Sequence, residues 1–164
     1  MSYKARIMPN LSVLSIGRER LAQAYPLIRS AARVTPERWQ EFGEELIAHG
    51  GGVLIATAED GCVHGVAAFR PSGNLRHLRS LEVDIIVAFE LRCGARVRDS
   101  LRAALDEIAI NQGCRSVNLT MAAKAYGDPA SPARTGLEQL GLTLETVSFV
   151  KELPPSARPA QSRK

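Results

Sequence analysis

Residues Glu90–Met121, ELRCGARVRDSLRAALDEIAINQGCRSVNLTM, are the stretch whose reading decides the fold. Val97, Leu101, Ala104, Leu105, Ile108 and Ala109 recur three and four positions apart, which predicts an amphipathic helix over Arg96–Gln112. Gly113 supplies a helix stop, because glycine accepts the left-handed conformation that ends helices. Val117–Met121 then alternates as a strand does. The helix opens directly out of a turn, so its unsatisfied N–H groups and positive end face that turn, an arrangement suited to a phosphate. Where a nucleotide-binding turn usually carries glycine, this one carries Arg96 and Arg98.

Upstream, Leu11–Ile16 reads as an opening strand and Glu19–Ala32 as a helix with Leu21, Ala24, Leu27, Ile28 and Ala31 at helical spacing. Thr35-Pro36 is a helix start, a capping hydroxyl followed by proline at the first helical position. That helix carries Trp39, Phe42, Leu46 and Ile47 on one face, and Gly50-Gly51-Gly52 ends it. Val53–Ala58 and Val63–Phe69 form a hairpin across Glu59-Asp60-Gly61-Cys62, and Pro71-Ser72-Gly73-Asn74 reads as the next turn. Leu81–Phe89 (LEVDIIVAF) begins with alternation and becomes continuously apolar, as a central strand buried on both faces does.

Downstream, Ser131-Pro132 repeats the cap-plus-proline start, Leu137 and Leu140 make a short apolar face, and Gly141 ends that helix. Thr143–Leu153 has strand propensity, and Pro154–Lys164 is a basic tail expected to be disordered. The order β-α-α-β-β-β-α-β-α-β predicts one domain over residues 1–153, of mixed α/β (α+β) class. Its core is a central, mostly antiparallel twisted sheet of about six strands flanked by about four helices.

Composition bounds the function. The chain has 164 residues, enough for one well-buried core, and 45% hydrophobic with 23% charged residues is the balance of a globular protein. No apolar run approaches the roughly 20 residues that span a bilayer, and the N-terminus lacks an apolar signal segment. Three cysteines without metal-type spacing read as reduced thiols, so a cytoplasmic location is expected. The net charge of +4 is a mild excess, part of it in Arg92, Arg96, Arg98 and Arg102. Such charge suits an anionic ligand. Aromatics make up 5% and are not interleaved with the arginines, which argues against nucleic-acid recognition by stacking.

The element order and the Glu90–Met121 block resemble the GNAT N-acetyltransferase superfamily, from about Ser12 to Leu153. The family's Arg/Gln-x-x-Gly-x-Gly/Ala turn falls on Cys93-Gly94-Ala95-Arg96-Val97-Arg98, so Cys93 replaces the leading Arg/Gln and Arg96 and Arg98 replace two glycines. The resemblance implies acyl-coenzyme A-dependent N-acyl transfer, with acetyl-CoA as cosubstrate and an amine of a small molecule or protein as acceptor. It places the coenzyme pyrophosphate at Gly94, Ala95, Arg96, Val97 and Arg98, and the pantetheine arm on the backbone of Ile86, Val87 and Ala88. The two arginines can grip a phosphate or fill its space. The alternative is therefore a catalytically inactive GNAT-fold binding or regulatory protein.

For chemistry, the resemblance points to a carboxylate base on the central strand, here Glu82 or Asp84, against the plainer reading of a carboxylate paired with an arginine such as Arg79. The tyrosine acid that the family frequently carries aligns with Leu137, which cannot donate a proton; Tyr126, in the preceding loop, is the nearby hydroxyl. His49, His64 and His77 are isolated and read as surface or turn residues. Cys93, at a helix N-terminus among arginines, has a setting that lowers a thiol pKa but no visible partner base. No metal site is expected. Open sheet edges and apolar helix faces leave room for a homodimer.

Overall fold

The computed structural model describes residues 7–8, 11–89 and 96–150. The chain groups into two compact units, Met1–Met121 and Ala122–Lys164. The first holds strands β1 (Ile7–Met8), β2 (Leu11–Ile16), β3 (Gly52–Ala58), β4 (Val63–Ser72), β5 (Ser80–Ala88) and β6 (Ser116–Leu119), with helices α1 (Leu21–Ala32), α2 (Pro36–Ala48) and α3 (Arg96–Asn111). A single 3-10 turn, Arg18–Arg20, leads into α1. The second unit holds α4 (Ala123–Tyr126) and α5 (Pro132–Gln139).

The six strands form one sheet in sequence order. Each neighbour is antiparallel until β6, which runs parallel to β5. Antiparallel neighbours need only short turns, whereas the parallel step needs a crossover, and α3 is that crossover. One face of the sheet packs Leu54, Ala56, Ala67, Leu81 and Val83 on the Val97–Leu101–Leu105 stripe of α3. The other packs Val53, Ile55, Val66 and Ala68 on Leu21 and Ile28 of α1 and Trp39 and Leu46 of α2. Trp39 is buried without loss because its indole N–H donates to the Leu21 carbonyl at 2.8 Å.

The helix boundaries follow the chemistry of their ends. The Thr35 hydroxyl accepts the Arg38 N–H at 3.2 Å and Pro36 takes the first helical position. Gly113, at φ +70, closes α3: the Cys114 N–H reaches back to the Ala109 carbonyl at 2.8 Å, the long bond of a Schellman stop. The Arg79 guanidinium adds a cation there, donating to the Gln112 carbonyl at 2.8 Å.

Three expectations change. The run Pro71-Ser72-Gly73-Asn74 is not all turn, since β4 continues through Ser72 with Pro71 opposite Leu81. Pairing with β3 has already ended at Gly52↔Phe69. Alternation turns the proline nitrogen toward that unpaired side, where a missing N–H costs no ladder bond. Ser131 holds the N-cap position of α5, but its hydroxyl makes no cap bond and donates to the Ala125 carbonyl at 2.6 Å instead. Thr143–Leu153 forms no strand as far as Val150, and Leu144, Val147, Phe149 and Val150 are exposed. β-propensity needs a pairing partner to become a strand. The tail Pro154–Lys164 lies outside the described residues.

Candidate active site

Two β-bulges shape the middle of the sheet. Ala56 pairs with Gly65 but Thr57 with Val63, so His64 is an extra residue in β4. Phe69 pairs with Val83 but Ala68 with Ile85, so Asp84 is an extra residue in β5. A bulge inserts one residue and reverses which side chains face which side beyond it. Leu81 and Val83 pack on the α3 side; past Asp84 it is Ile86 and Ala88 that pack there, while Ile85 joins the α1–α2 side.

The same bulge marks where, among the described residues, β5 loses its partner on one edge. β6 pairs with β5 from Ser80↔Ser116 to Val83↔Leu119, and the Thr120 N–H donates to the Val83 carbonyl at 3.1 Å. Beyond Val83 the register with β6 ends, while β4 stays paired through Ala88. The Phe89 N–H donates to the His64 carbonyl at 2.8 Å, so Phe89 faces β4. By alternation Val87 does too, and Ile86 and Ala88 turn their N–H and C=O groups to the open side. Of Ile86, Val87 and Ala88, Val87 thus bonds to β4 and the other two turn their backbone groups away from it.

Helix α3 is held against this edge by a glycine. A Cβ on Gly65 would sit 2.6 Å from Val97 Cγ1 and 2.9 Å from Leu101 Cδ1, so only glycine lets the first turns of α3 approach β4 so closely. Arg96 opens the helix and Arg98 is half-buried on its first turn. Gly94, Ala95 and Cys93 lie outside the described residues.

Asp84 is half-buried, and its Oδ1 accepts from Arg70 Nη2 at 3.2 Å. Its Oδ2 is buried with no hydrogen-bond partner among the described residues. Burial pushes the Asp84 carboxyl above the ordinary range; the Arg70 guanidinium opposes that rise and the nearby Glu82 charge adds to it. Glu82 is occupied differently: its Oε1 accepts from Asn118 Nδ2 at 2.8 Å. Neither carboxylate is paired with Arg79, whose guanidinium caps α3. Tyr126 is half-buried at the end of α4, and Leu137 lies half-buried in α5.

The histidines take local roles. His64 Nε2 lies 3.2 Å from Asp60, and His49 Nδ1 lies 2.8 Å from the Glu45 carbonyl. The Cys62 N–H, and then His64, hold Asp60 below its ordinary range. Among the described residues no cluster of His, Cys, Asp or Glu could hold a metal, and no helix is long and apolar enough to cross a membrane.

No family model and no curated protein matches the sequence. Solved structures do. A Trypanosoma brucei acetyltransferase superposes with a TM-score of 0.68 at 16% identity, covering 88% of this chain and 100% of that one. The aminoglycoside N-acetyltransferase AAC(6')-Iy, in complex with CoA, gives 0.68 at 16%, covering 89% and 99%. Glucosamine-6-phosphate N-acetyltransferase from Arabidopsis thaliana gives 0.65 at 14%, covering 88% and 99%. The fold is that of the GNAT N-acetyltransferases. With the GNAT fold in place, the bulge at Asp84, the open edge of Ile86 and Ala88, and the start of α3 together make the candidate active site. Alternation alone reaches Glu82 and Asp84 but misses Arg70, because an arginine just after an apolar run reads as the end of a strand.

Proposed function

We propose that this chain is an acyl-CoA-dependent N-acyltransferase, transferring acetyl from acetyl-CoA to an amine of a small molecule or protein by direct attack. The observation that carries the reading is the open backbone edge of Ile86 and Ala88 beside the start of α3 on a GNAT fold. An extended amide-bearing arm can add to that edge as a strand would, through main-chain hydrogen bonds that are insensitive to side-chain identity. The first N–H groups of α3, together with Gly94, Ala95, Val97 and the cations Arg96 and Arg98, take the pyrophosphate.

In the transfer, the amine nitrogen forms a C–N bond to the acetyl carbonyl carbon, the C–S bond breaks, and the sulfur leaves with a proton. Asp84 accepts the proton that the ammonium must lose, and its raised pKa suits that task. Glu82, held by Asn118, keeps a second negative charge beside it. The family's tyrosine acid aligns with Leu137, which has no hydroxyl, and Tyr126 is the nearby hydroxyl in the sequence.

Leu137 and the half-buried Arg98 favour a second reading, a GNAT-fold binding or regulatory protein without catalysis. Isothermal titration with acetyl-CoA decides between them, with R96G/R98G as the comparison. Binding lost in the double variant supports grip by the arginines. Binding gained there means that they block the site, and absence of binding in both refutes the enzyme reading.

A further inference from the structure

Asp84 and Arg70 sit side by side, and Arg70 also lines a cavity. The cavity, about 270 Å³, is bounded by Phe42, Glu45 and Leu46 of α2, by His49 just after it and by Arg70 of β4. It lies below the roughly 300–1,000 Å³ of pockets for drug-sized ligands. That size favours a small molecule over an oligosaccharide or a protein loop.

The charges divide sharply. Arg70 is half-exposed, so its guanidinium holds Asp84 while staying within reach of a molecule in the cavity. Asp84 has one oxygen on Arg70 and the other buried without a partner among the described residues. A ligand anion that drew Arg70 away would leave the carboxylate needing a cation, at a place where burial makes an unpaired charge costly. A ligand that brings an ammonium within a few bonds of its own anion meets both needs at once. An α-amino acid has that separation, and its side chain can lie on Phe42 and Leu46.

We infer that the acceptor is a free α-amino acid, its carboxylate taken by Arg70 and its α-amine presented to Asp84. This rests on the acyltransferase reading and deepens it. Arg70 then has two partners in turn. Before the acceptor arrives it neutralises Asp84; with the acceptor bound it turns to the substrate carboxylate, and Asp84 is free to take the amine proton. An amine without a carboxylate leaves Arg70 on Asp84 and the base occupied. Arg70 is thus a specificity-determining residue.

The test uses the full chain, with the common L-amino acids at millimolar concentration followed by thermal shift and, with acetyl-CoA, by thiol release. The best of them is compared with its amide, which keeps the amine and loses the anion. The amide is expected to bind about ten- to a hundredfold more weakly, the loss of one charge-assisted pair. R70M should erase the difference between acid and amide, and R70K should restore part of it. Equal binding of acid and amide to the unaltered chain, or preference for polyamines or aminoglycosides, overturns the inference without any variant. Acetyl-CoA binding measured alone separates the two readings. Coenzyme binding without amino-acid binding removes this inference and spares the acyltransferase, whereas failure of both removes both.

Discussion

Gly65→Ala should loosen the seat of α3, and the structure gives the size of the effect. The new Cβ meets Val97 Cγ1 at 2.6 Å, Leu101 Cδ1 at 2.9 Å and Ala56 Cβ at 3.3 Å. The leucine methyl can swing aside, but Val97 is β-branched on a helix, where one χ1 rotamer dominates, so it cannot retreat without moving the helix. Inserting a methyl into such packing costs about 1–3 kcal/mol. The smaller conformational entropy of unfolded alanine returns about 0.4–1 kcal/mol. The net loss is therefore about 1–2 kcal/mol, or a fall in Tm of about 2–8 °C for a chain of this size. Urea unfolding at constant m-value measures the free energy, and V97A supplies the control. Alone, V97A removes methyls and destabilises by about 1–2 kcal/mol. Combined with G65A, it should cost at least about 1 kcal/mol less than the sum of the two. Full additivity, or a G65A protein as stable as the parent, would refute close approach of α3 as the reason for glycine.

Three further outcomes are expected. D84N should lower acetyl transfer by about a hundredfold or more while leaving acetyl-CoA affinity, read by titration, nearly unchanged. Because the folded pKa of Asp84 is raised, the folded state holds the proton longer than the unfolded one. Stability from this group therefore falls as pH rises from the ordinary value of 3.8 toward the raised one, and urea unfolding across that range should show the slope flatten in D84N. T35A removes the hydroxyl that accepts the Arg38 N–H and should cost about 1 kcal/mol; a T35S protein that is no more stable than T35A in urea would argue against the cap.

Much of the fold was legible because it is written in local chemistry. The helix over Arg96–Asn111 shows its stripe and its Gly113 stop, and Thr35-Pro36 announces α2. Reading the candidate site depended on family resemblance as well as residue type, since carboxylates on a strand are common and backbone groups carry no sequence signal. The sequence put Glu82 and Asp84 on one strand and proposed Arg79 as a partner. The structure gives Asp84 to Arg70 and Arg79 to the end of α3.

What the sequence determines by itself is periodicity, capping and the order of elements, all set within a few residues. What only the tertiary structure decides is register. In LEVDIIVAF, alternation alone would keep Leu81, Val83, Ile85 and Val87 on one face. Pairing with β4 makes Asp84 the extra residue, sends Ile86 and Ala88 to the α3 side, and turns their backbone toward the edge that β6 leaves after Val83. The run Thr143–Val150 shows the converse, strand-forming residues without a strand. A bulge and a strand are both relations between distant segments, fixed by hydrogen bonds across the sheet and by burial on its two faces, and no single segment contains that information.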